Sequence, residues 1–177
     1  MTGDNTPQYD GVGIWGGGAV SGIVAGVVMG VIMHFGANLI EVLGGLVPGP
    51  DPALGIGWVV HMAISVAFAL VFAGVVSRPS IRESVIDFTD FLVAGLIFGA
   101  LIGIIAGGVV FPVAMQGAGV AALPVPFLPI PGVAGEFAAA VIFAIAHLAY
   151  GLTLAAAFAT INGVTPTRVS DRIATLE

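Results

Sequence analysis

Gly18-Ala19-Val20-Ser21-Gly22-Ile23-Val24-Ala25-Gly26-Val27-Val28-Met29-Gly30 is the stretch that decides the fold. Glycine recurs at every fourth position, and the residues between are small or apolar. In a water-soluble helix each such glycine costs about 1 kcal/mol relative to alanine. In a membrane helix the same spacing cuts a groove into which a neighbouring helix sinks. A second ladder follows at Gly95, Gly99, Gly103 and Gly107. Two ladders in apolar surroundings point to an integral membrane protein with closely packed helices.

Composition supports that environment. The 177 residues are 58% hydrophobic and 8% charged, with a mean hydropathy of +1.13. A soluble domain carries about 25% charged residues, so lipid must cover most of this exterior. Cysteine is absent, which excludes disulfides, thiolate zinc sites and iron–sulfur clusters. Lysine is absent too, and the net charge of −6 argues against nucleic acid as a partner. Acidic, lysine-free and cysteine-free usage resembles proteins of extreme halophiles. Residues 1–13 hold no Arg or Lys and contain Asp4 and Asp10. They read as a polar tail, since a signal peptide has a basic n-region.

Four apolar stretches are long enough to cross the roughly 30 Å hydrocarbon core: residues 14–40, 57–77, 91–113 and 137–161. Helix is expected because lipid offers no hydrogen-bond partner to an open backbone. The fold class is therefore all-α: a polytopic membrane protein with four transmembrane helices arranged as a tandem two-helix repeat. The repeats are 14–77 and 91–161, separated by a linker at 78–90 and followed by a tail at 162–177. Arg78, Arg82, Arg168 and Arg172 are the only basic residues apart from three histidines, and an even number of spans puts all four on one side. The positive-inside rule then makes both termini cytoplasmic in a multi-pass protein of the cell membrane. The opposite side carries two apolar, proline-rich loops, from Gly44 to Pro52 and from Leu123 to Pro131. These either rest on their own bundle or dock on another subunit.

The halves look duplicated. An offset of 73 superposes Gly22, Gly26 and Gly30 on Gly95, Gly99 and Gly103; an offset of 86 superposes His61 on His147 and Phe72-Ala73 on Phe158-Ala159. Histidine is rare here, so its coincidence carries the most weight. Two spans per half make a parallel repeat about an axis along the membrane normal. The expected product is a four-helix bundle with the first and third spans packed through glycine at its centre.

Few residues carry chemistry. His61 and His147, at similar depth on the second and fourth spans, are the cofactor-binding candidates: facing imidazoles can ligate a haem b iron. The structural reading, in which each gives one interhelical hydrogen bond and no cofactor is present, stands ahead of it. His34 continues the first ladder, Asn38 follows at the next step and Glu41 lies at the membrane edge. This polar cluster either holds a proton, a quinone head or a cation, or caps the helix as it leaves lipid. Glu136 suits the positive end of the fourth helix. Ser65, Gln116, Tyr150 and Thr153 read as interhelical contacts. No metal-ligand spacing and no catalytic set assembles, so no enzyme is expected.

Three motifs together resemble a family of small haloarchaeal four-span membrane proteins of unknown function. They are the glycine-rich first span, Asp51-Pro52-Ala53-Leu54-Gly55-Ile56-Gly57-Trp58-Val59-Val60-His61 before the second span, and His147-Leu148-Ala149-Tyr150-Gly151 in the fourth. The resemblance covers about residues 14–161 and implies the fold without an activity. The leading expectation is a non-catalytic accessory subunit of a larger membrane complex, of the respiratory, terminal-oxidase type. Its partners are then the lipid bilayer and other integral membrane subunits. The alternatives are an electron carrier binding haem b or quinone through His61 and His147, and a small transporter or channel lined by His34 and Asn38.

Overall fold

A computed structural model of the chain describes residues 12–47, 53–119 and 133–166. Most of the N-terminal tail, residues 48–52 of the first proline-rich loop, all of the second, and Arg168 and Arg172 lie outside the described residues. Among the described residues the elements are all helical: α1 (Gly13–Ala37), α2 (Leu39–Gly45), α3 (Ala53–Val76), α4 (Pro79–Arg82), α5 (Phe88–Ile105), a π-helical turn (Ala106–Val110), α6 (Phe111–Gly117) and α7 (Val133–Ile161). Four helices are long and apolar enough to cross a membrane, and the chain is a multi-pass membrane protein.

Local chemistry sets the breaks. The expected first span, 14–40, is interrupted at Asn38, which adopts φ 52° and ψ 26°. Asparagine tolerates this left-handed conformation better than most residues. Its N–H closes α1 on the His34 carbonyl at 3.1 Å, and its side-chain amide donates to Glu41 at 2.5 Å. The linker is shorter than 78–90, because Asp87 starts α5. Asp87 Oδ1 accepts from the Asp90 N–H at 2.9 Å and Asp90 Oδ2 accepts from the Asp87 N–H at 3.1 Å, a reciprocal cap. The third span runs past residue 113 to Gly117, a rod of 30 residues. Pro112 has no N–H for the Gly108 carbonyl and its ring crowds that turn, and the helix widens into the π-turn just before it.

α1 lies between α3 and α7, and α5 packs along α7. Gly18 lies against Ala73 and Gly30 against Trp58, so α1 and α3 run antiparallel. Gly17 lies against Asn162 and Gly36 against Ile142, so α1 and α7 do too. Phe68 and Phe72 of α3 meet Phe98 of α5 at ring-centroid distances of 6.5 and 5.3 Å. Phe72, Phe91, Tyr150, Leu154 and Phe158 fill the interior.

One expectation is corrected here. α1 and α5 do not pack on each other through their glycines; each ladder is used inside its own hairpin. A Cβ on Gly22 would come within 2.6 Å of Ala69 Cβ, and one on Gly26 within 2.8 Å of Ser65 Cβ. Gly95 and Gly99 likewise lie against the backbone of α7 at Gly151. Each groove is filled by the next long helix in the chain, α3 for the first ladder and α7 for the second.

The repeat offsets map one hairpin's contacts onto the other's. Gly22 against Ala69 corresponds to Gly95 against Ala155, Gly26 against Ser65 to Gly99 against Gly151, and Gly30 against His61 to Gly103 against His147.

Candidate functional site

The two matched histidines are both buried, but they bond differently. His61 Nε2–H donates across the interface to the Gly26 carbonyl of α1 at 2.8 Å. Trp58 stands edge-on to His61 at 6.0 Å and lies over Gly30. His147 Nδ1–H instead donates within α7 to the Phe143 carbonyl at 2.9 Å, and its ring lies against Phe143 at 4.2 Å, tilted by 41°. A carbonyl can only accept, so Nδ1 carries the proton and Nε2 of the neutral ring keeps a lone pair. Nε2 has no hydrogen bond to another described residue.

His147 lines a cleft of about 870 Å³ between α5–α6 and α7. Small residues make the room: Gly99, Gly103 and Gly107 on one wall, Ala140 and Ala144 on the other. Phe111 and Phe143, whose rings lie 5.8 Å apart, add an aromatic wall. Gln116 and Glu136 line the cleft at the α6 end, away from His147. The repeat explains the space. The offset of 86 places Ala144 where the first hairpin has Trp58, and the offset of 73 places Gly107 where it has His34. In the first hairpin those two rings lie 6.3 Å apart and occupy the corresponding space. The cleft was therefore encoded in the same alignment that matched the histidines, as two large-to-small differences.

The histidines are not brought to one ligand. The bond of His61 reaches α1 and that of His147 stays on α7, and among the described residues no hydrogen bond or ring contact joins the two imidazoles. α3 and α7 are joined directly, since Tyr150 O–H donates to the Ser65 carbonyl at 2.5 Å. His34, Asn38 and Glu41 sit at the α1–α2 break, where Asn38 bonds Glu41 and His34 lies beside Phe35 at 4.7 Å. No group of three potential metal ligands occurs among the described residues.

No protein-family model, no curated protein and no solved structure matches this chain.

Proposed function

We propose that the protein is a non-catalytic subunit of a larger membrane complex and that it meets its neighbours along the α5–α6 rod. The observation that carries this reading is unequal cover. In the most apolar window of α1, 44% of residues are buried; in that of the rod, 17% are. Val93, Ile97, Leu101, Ile104, Val109 and Val113 are each more than half exposed. The rod is about 45 Å long at 1.5 Å per residue and is packed mainly against α7. That leaves a broad apolar face for a helix of another subunit, with β-branched side chains suited to van der Waals packing. The respiratory, terminal-oxidase class rests on the abundance of such multisubunit assemblies rather than on a residue of this chain. Arg78 and Arg82, at the end shared by the α1 start and the α3 end, support cytoplasmic termini.

A photo-reactive side chain at Ile97 or Ile104, followed by gentle extraction and mass spectrometry, tests the reading. The expected result is one stoichiometric membrane protein crosslinked at these positions and not at Val59 or Phe137, which are at least as exposed on α3 and α7. Crosslinks to lipid alone at all four positions would overturn it.

A further inference from the structure

We infer that the cleft beside His147 binds a lipid-soluble molecule with a hydroxylated aromatic head, of the quinol or phenol type, whose O–H donates to His147 Nε2. The site does not rest on the docking reading above, although Ile104 and Val113 border both surfaces. Three observations lead to it.

The first is size and shape. About 870 Å³ lies within the usual range of small-molecule sites, roughly 300–1,000 Å³. His147 and Glu136 are separated by eleven residues of α7, about 16 Å along the helix. The cleft is thus a slot running from the outer end of the bundle to the middle of α7. It suits a compact head at the deep end and an apolar tail along Ala140, Ala144 and Ile104.

The second is the polarity of the deep end. His147 is 5% exposed, and its one N–H is already committed to Phe143. What it offers a ligand is an acceptor. A hydroxyl satisfies that lone pair, whereas a carbonyl head meets it with a second acceptor. A buried polar atom left without a partner costs more than the bond itself is worth, so the discrimination is substantial. The rings of Phe143 and Phe111 beside it favour a flat aromatic head.

The third is charge. Among the described residues, Glu136 is the one carboxyl group lining the cleft and no Arg lines it. A carboxylate there disfavours anionic ligands such as fatty acids, anionic phospholipid headgroups and haem propionates. A neutral head that donates hydrogen bonds is what remains.

The first hairpin supplies the control, since Trp58 fills the equivalent space over Gly30. Ala144→Trp transfers that filling to the second hairpin. The test is calorimetric titration of the full chain in nanodiscs of neutral phosphatidylcholine, with decylubiquinol and decylubiquinone as probes. The quinol is expected to bind at least about tenfold more tightly than the quinone, matching the loss of one buried hydrogen bond. His147→Phe, which keeps a ring, is expected to remove that preference while the tail still binds weakly. Ala144→Trp is expected to abolish binding of both while thermal unfolding by circular dichroism stays cooperative. Equal or tighter quinone binding overturns the inference. So does quinol binding that survives Ala144→Trp, or no binding by the unmodified chain. Should Ala144→Trp unfold the protein, Ala144→Phe and His147→Phe carry the same decision.

Discussion

In the first hairpin Gly30 lies beneath the indole of Trp58, and His61 reaches across to the Gly26 carbonyl. In the second, the counterpart Gly103 borders an open cleft, and His147 turns back to its own helix. The glycine register is the same in both. Among the side chains that differ, His34 and Trp58 stand against Gly107 and Ala144, and Gly57 stands against Phe143. Backbone grooves fix how the helices of a pair approach, and that approach survives when the outer side chains change. A duplicated hairpin can therefore keep its frame with one copy and use the other to hold space.

This comparison is broken most severely at the backbone. Gly99 and Gly151 are in van der Waals contact, and a Cβ on either would overlap a carbonyl of the facing helix. Gly151→Leu should separate α5 from α7 and cost about 3 kcal/mol or more, read as loss of a cooperative thermal transition by circular dichroism in detergent. Gly108→Ala, at a position with open space around it, should leave that transition in place.

Trp58→Ala should be the next largest effect. It makes the first hairpin resemble the second and should cost about 2–3 kcal/mol, with a new apolar cavity against Gly30. Uptake of xenon or a spin-labelled lipid near residue 58, absent from the unmodified chain, checks it.

The histidines sharpen the comparison further. His61→Ala removes an interhelical bond and should cost about 1 kcal/mol, whereas His147→Ala removes a bond within one helix and should cost less. Equal losses of thermal stability would show that the two hairpins are closed alike. The smallest expected effect is at the link between them. Asp87→Ala removes half of the reciprocal cap of α5 and should cost about 1 kcal/mol or less, seen as faster amide exchange at Asp90 and its neighbours.

Much of this was legible in the chain. Apolar length and the lack of charge were enough to read four spans, because hydrocarbon demands both. The offsets of 73 and 86 foretold the equivalence of the hairpins, since repeated small residues require repeated close approaches. Residue type places a polar cluster at His34, Asn38 and Glu41, but the left-handed turn that ends α1 at Asn38 shows only in the backbone. The third span runs four residues past the expected end at Val113, because the helix continues through Gln116 to Gly117 after the π-turn has absorbed Pro112.

Other features were settled by the tertiary structure. Sequence shows that a glycine groove exists, but it does not say which helix enters it, because every span offers apolar residues of the same kind. Packing put α3 and α7 into the two grooves and α1 against α7. Sequence also matched His61 with His147 while leaving open what each ring touches. Hydrogen-bond geometry separated them, giving one to the facing helix and leaving the other with a lone pair beside a cleft. The chain determined its environment, its spans and its internal repeat, because these follow from residue type and spacing. Partners and cavities follow from which surfaces meet, and that is fixed only when the helices are placed together.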